Sequence, residues 1–129
     1  MEIVADTNIF LAVALNEPER ARIVEITAEA TIMAPEILPY EIGNALSAMV
    51  KRGKLAVTEA LEAESSIDRI AVRLARVDIR ASLRIALEHR IYAYDAYFLE
   101  FARSRSRPLL TLDGHMKQVA VQMGIRILE

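Results

Sequence analysis

Four carboxylates stand inside or beside apolar segments of this chain: Asp6 in IVADTN, Glu41 in PYEIGNAL, Asp95 in YAYDAYFLEFA and Asp113 in LLTLDGH. An acid next to a hydrophobic run is costly to bury unless something compensates its charge. Two such groups about 5 Å apart at an effective dielectric near 20 repel by roughly 3 kcal/mol. A divalent cation removes the conflict for all of them at once. Magnesium and manganese favour carboxylate and water ligands. One such ion can polarise a phosphoryl oxygen and acidify a water, and two can clamp the attacking and leaving oxygens together. The chemistry implied is hydrolysis of a phosphodiester by metal-activated water.

For these acids to act together, the fold must bring them to one place. Ile3-Val4-Ala5 is a short apolar run of the kind that buried parallel strands show. Further strands are expected at Thr31–Ala34, Val72–Val77, Pro108–Leu112 and Ile125–Leu128. Helices are expected at Ile9–Leu15 with Asn8 as cap, at Pro18–Ala30, at Ile37–Arg52 stopped by Gly53, and from a Thr58 cap to Ile70. More follow at Arg80–His89, Asp95–Ser104 and Met116–Met123. Strands alternating with helices predict an α/β fold, a three-layer α/β/α arrangement around a mainly parallel sheet of about five strands. Such sheets place their sites beyond the carboxyl ends of the strands. Asp6 and Asp113 each follow a strand, Asp95 opens a helix, and Glu41 lies one turn into another, so all four belong at that edge. Each acid also has a second reading as a helix cap or dipole partner, and Asp95 and Asp113 suit it best.

Taken in order, the segments Asp6-Thr7-Asn8, PEILPYEIGNAL, YDAYFLEFA and TLD at 111–113 resemble the successive motifs of PIN-domain ribonucleases, and the compact length resembles the VapC-type toxins of toxin–antitoxin pairs. The resemblance spans the whole chain. It implies that Asp6, Glu41, Asp95 and Asp113 bind one or two magnesium or manganese ions, with Thr7 and Thr111 in support; Asn8 itself reads either as an N-cap or as a supporting group bonded to a carboxylate or bound water. It also implies an RNA substrate, products with 5′-phosphate and 3′-hydroxyl ends, a cognate antitoxin, and a homodimer.

The remaining features bound this reading. The 129 residues carry no repeat, linker or low-complexity tract, so residues 1–129 are read as a single domain. There is no cysteine, which excludes disulfide scaffolds, thiolate zinc sites and thiol nucleophiles. No apolar run approaches membrane-spanning length, and no signal-peptide pattern opens the chain, so a cytoplasmic location is expected. A net charge of −2 gives no global attraction to nucleic acid. Arg103, Arg105 and Arg107 should lie at the pole opposite the acids, as solvated and dipole-complementing groups. Lys117, one turn beyond Asp113, reads either as a phosphate contact or as a plain surface lysine. His115 comes within reach of the acidic pole, but acid–base catalysis by histidines needs two facing each other, and the only other one is His89. Tyr40, Tyr92, Tyr94 and Tyr97 flank Glu41 and Asp95, as packing residues or as platforms for an RNA base. Gly43, costly inside a helix, is expected to admit a close backbone neighbour.

Two rival functions remain. A phosphoryl-transfer or signalling domain also places acids at the carboxyl edge of a parallel sheet. A haloacid-type phosphatase, however, needs a second acid two residues after the first, and Asp6 is followed there by Asn8. A receiver domain needs an early acidic pair and a late lysine in an order this chain lacks. The other rival is a non-catalytic binding module whose acids are caps, on which metal would have no effect.

Overall fold

Ile3, Val4 and Ala5 are fully buried because the strand that carries them, β1 (Glu2–Ala5), has a neighbour on each side. In a computed structural model describing residues 1–129, β1 pairs in parallel with β2 (Thr31–Pro35) on one side and β4 (Leu109–Leu110) on the other. β3 (Val72–Ala75) extends the sheet from β2, giving the order β3-β2-β1-β4 with every pair parallel. A sheet whose central strand is apolar on both faces must be covered on both. Seven helices do this: α1 (Thr7–Ala14), α2 (Arg20–Thr27), α3 (Leu38–Lys51), α4 (Val57–Asp68), α5 (Ile79–His89), α6 (Ala93–Arg105) and α7 (Gly114–Gln122). The α5–α6 pair packs through α6 onto β1 and β2, while α1 to α4 pack on one another as a second group. Phe98, Leu99 and Phe101 of α6 lie at the centre of the core.

The sheet has four strands rather than about five. Ile125–Leu128 contributes only the bridge between Leu109 and Ile127, because β4 is two residues long and offers no further ladder. Several helix starts also differ from expectation. Asp6, not Asn8, caps α1: its Oδ1 accepts the Asn8 N–H at 3.0 Å. Thr58 lies inside α4, whose cap is Ala56, and Glu59 reaches back to accept the Ala56 N–H at 2.9 Å. Pro18 precedes α2 without entering it. Gly53 does end α3, at φ 72°, a left-handed conformation that costs glycine little. Gly43, by contrast, is exposed and has nothing within 4 Å of where a Cβ would stand, so close packing does not explain it.

The arginine run is used structurally. Arg103 makes two hydrogen bonds to buried Glu100, at 2.7 and 2.8 Å. Arg105 stacks over the Phe101 ring at 3.7 Å. Arg107 pairs with Glu2 at 2.7 Å. At the start of α5, Asp78 accepts the Ala81 N–H at 3.0 Å. Asp78→Ala is therefore expected to cost about 1 kcal/mol, read as a lower urea midpoint at unchanged slope. No change in midpoint would remove Asp78 from the stabilising contacts.

Candidate active site

The chain runs from β1 outward to β2 on one side, and β4 lies on the other, so the strand order reverses between β1 and β4. Crevices form at such reversals, beyond the carboxyl ends of the strands. Asp6 follows β1 there, and Thr111 follows β4. The Thr111 hydroxyl donates to Asp6 Oδ2 across the reversal and accepts the Asp113 N–H at 3.1 Å. One buried threonine thus joins the two acids contributed by opposite ends of the chain.

A cavity of about 170 Å³ opens at this point, and Asp6, Glu41 and Asp95 all line it. Thr7 and Asn8 from α1, Asn44 and Ala45 from α3, and the apolar walls Phe98 and Met116 complete the lining. Local geometry explains the convergence. Glu41 and Asp95 sit in the first turns of α3 and α6, and Asp6 caps α1, so three helix starts face the same crevice. Asp113 is not in the lining. As cap of α7 it keeps Oδ1 on the N–H groups of His115 and Met116, at 2.9 and 3.1 Å. It is close enough for its charge to act on Asp6 and Asp95. Lys117 lies outside the cavity and faces Glu129 at 3.8 Å, so its ammonium is not directed at the acids. Asn44 was not singled out in the sequence, although its i+3 spacing from Glu41 places it on the same helix face.

The electrostatics of the cavity are those of crowded anions. Burial pushes the Asp6 carboxyl up from 3.8 to about 6, against hydrogen bonds from Thr111, Ile9 and Asn8 that pull it down. Glu41 rises from 4.5 to about 7, through burial first and then the charges of Asp95 and Asp6. Asp95 is also raised, by burial and by Asp113, with His115 acting in the opposite sense. Two buried oxygens, Glu41 Oε1 and Thr7 Oγ1, have no hydrogen-bond partner within the protein. Leaving such groups unpaired costs about 1–3 kcal/mol each.

These observations fit a hard divalent cation. The donors are carboxylate and neutral oxygens, one carboxylate oxygen is buried without a partner, and the like charges repel. No three acidic or imidazole groups form a ready-made ligand cage. The fit is therefore to an ion that retains several waters, as magnesium does. Removing the Thr111 hydroxyl leaves Asp6 without its strongest hydrogen bond. Thr111→Val is expected to raise the Asp6 pKa further and to slow any metal-dependent cleavage by roughly 10-fold or more, read as a displaced acid limb of the pH–rate profile. An unmoved acid limb would mean that Thr111 does not set the ionisation of Asp6.

A family model described as PIN domain matches residues 3–122. No curated protein matches the sequence significantly. Among solved structures, PAE2754 from Pyrobaculum aerophilum is similar with a TM-score of 0.69 at 19% identity, covering 96% of this chain and 90% of that one. VapBC2 from Rickettsia felis, bound to a DNA fragment from its promoter, gives a TM-score of 0.66 at 17% identity, covering 100% and 98%. FitAcB from Neisseria gonorrhoeae gives 0.64 at 15% identity, covering 98% and 96%.

Proposed function

Because the chain belongs to the PIN-domain family, whose members are nucleases, we propose that it is a metal-dependent endoribonuclease and the toxin of a toxin–antitoxin pair. The observation that carries the catalytic reading is the shared cavity of Asp6, Glu41 and Asp95 at the sheet's reversal point, with a buried, unpartnered Glu41 oxygen inside it. Asp6, Glu41 and Asp95 would hold magnesium or manganese, directly or through water, with Asp113 acting from the rim. A bound ion would supply Lewis acidity toward the phosphodiester and acidify the attacking water.

The protein's own groups prepare the site. Thr111 and the Asn8 N–H fix both oxygens of Asp6. Asn8 and Asn44 offer neutral amides to waters or phosphate oxygens, and Thr7 offers a buried hydroxyl. Phe98 and Met116 limit the water that can enter. As pH rises through 6 and then 7, Asp6 and Glu41 pass in turn into the ionised state, which attracts a dication most strongly. The antitoxin partner and the homodimer are part of the proposal. Likeness in fold to VapBC2 and FitAcB supports the former, and resemblance to VapC-type toxins supports both. No helix is long and apolar enough to cross a membrane, which accords with the proposed action on RNA in the cytoplasm.

The capping role of Asp6 and Asp113 favours a second reading, a binding module in which metal is irrelevant. Incubation with total RNA, with and without manganese, followed by mapping of fragment ends, separates the two. The nuclease reading requires 5′-phosphate and 3′-hydroxyl ends that appear only with metal. Full cleavage in excess chelator, or 2′,3′-cyclic phosphate ends, would refute it.

A further inference from the structure

The tyrosines that precede the acids open onto a second depression. A groove of about 600 Å³ lies at the same edge of the sheet, its wall mostly apolar (Tyr40, Tyr94 and Tyr97 with Ile37, Val77 and Ile79), with Arg76 and Glu36 as its charged groups. Its size is that of a cleft for an organic ligand. Tyr40 immediately precedes Glu41 and Tyr94 immediately precedes Asp95, so the groove and the acidic cavity are built on the same first turns of α3 and α6. Tyr40 is 75% exposed and Tyr94 56%. Half-buried Tyr97 braces Tyr94 edge to face at a centroid distance of 5.9 Å. Arg76 follows β3 directly, and no carboxylate pairs with its guanidinium.

We propose that this groove is a base-stacking subsite for single-stranded RNA, in which Tyr40 and Tyr94 receive nucleobases and Arg76 receives a neighbouring phosphate. The inference rests on the ribonuclease reading above and names how that site takes its substrate. Exposed rings held by a rigid neighbour suit stacking on unpaired bases, which accept any aromatic face. An unpaired arginine suits the backbone that links them. Glu36 opposes phosphate on the β2 side, which leaves that contact to Arg76 and the phenolic hydroxyls. The groove shares no lining residue with the acidic cavity but is built on the same first turns of α3 and α6, and that adjacency favours the substrate over a protein ligand. Exposed Ile79 in the groove wall is the group a protein surface would cover instead.

The test uses the protein's own emission. The chain has no tryptophan and four tyrosines, and three of these line the groove, so tyrosine fluorescence reports on it. The full chain is titrated in excess chelator, where no cleavage occurs, with single-stranded octauridylate and with an abasic octamer of the same length. Octauridylate should quench tyrosine emission. Tyr40→Ala and Tyr94→Ala should each weaken its binding by roughly 10-fold, while Tyr→Phe at either position changes it by less than about twofold. The abasic octamer should bind wild type and Ala variants alike.

Three results would overturn the subsite: Ala variants that bind octauridylate as wild type does, equal losses for the abasic octamer, or a changed sedimentation coefficient with unchanged RNA affinity. The last would assign the rings to a protein contact. Manganese-dependent cleavage of total RNA is measured alongside. If wild type cuts RNA while the Ala variants bind normally, the subsite alone fails. If wild type neither binds nor cuts, the ribonuclease reading fails and takes the subsite with it.

Discussion

With manganese at pH 8, Asp6→Asn protein is expected to cut RNA roughly 1,000-fold more slowly than wild type, or not at all, since metal-assisted charge stabilisation is worth several kcal/mol. The fold should survive. An asparagine oxygen can still accept the Asn8 N–H, and the Thr111 hydroxyl can turn to meet an amide. Without metal, the same variant should be the more stable protein. The Asp6 carboxyl rises from 3.8 unfolded to about 6 folded. Between those values the native state holds more protons than the unfolded chain, so native stability is fully present below pH 4 and falls as pH climbs through 6. By linkage the loss is roughly 3 kcal/mol for a group buried this completely, which is a few degrees to about 10 °C in Tm. Asp6→Asn should therefore match wild type near pH 4 and melt higher above pH 6 in chelator. A variant that melts lower at pH 8, or that cuts at wild-type rate, would show that Asp6 serves α1 as a cap and nothing more.

Metal itself should stabilise the wild-type protein, and the effect should follow the ionisation of the same acids. A ligand that binds only the native state at 100 times its Kd adds about 2.7 kcal/mol, or roughly 10 °C in Tm for a domain of this size. Millimolar manganese at pH 8 should approach this. At pH 5 Asp6 and Glu41, which titrate near 6 and 7, are protonated and the shift should nearly vanish. Calorimetry at both pH values decides. An equal shift at pH 5 would place the ion elsewhere on the surface, and no shift at pH 8 would favour the binding module.

The parallel α/β fold was legible because β1 and β2 are short apolar runs separated by helical periodicity, and the edge that carries the acids follows from that alternation. The strand order was not. The reversal between β1 and β4 depends on which strands sit side by side, and nothing local to Ile3–Ala5 or Leu109–Leu110 encodes it. The cap positions were half legible. Asp6 and Asn8 are both good caps, and the choice between them turns on one hydrogen bond of 3.0 Å. Asp78 was missed because the helical pattern was read from Arg80. Ile125–Leu128 has the composition of a strand, but composition does not supply a partner, and β4 offers it a single bridge. Among the acids, Asp6, Glu41 and Asp95 line one cavity, as the strand and helix ends that carry them imply. Asp113 falls outside the cavity lining, with Oδ1 on the first turn of α7, although its charge reaches Asp6 and Asp95. Lys117 shares a helix with that cap but faces the chain's far end.

The hydrogen bond from Thr111 to Asp6 joins residues 105 positions apart, and this bears on synthesis at the ribosome. Asp6 leaves the ribosome well before β4 and Thr111 do, because 105 positions separate the two partners. A nascent polypeptide stopped before residue 111 has neither the strand that bounds the crevice nor the hydroxyl that holds its first acid. Products terminated before that residue should therefore lack an organised acidic crevice.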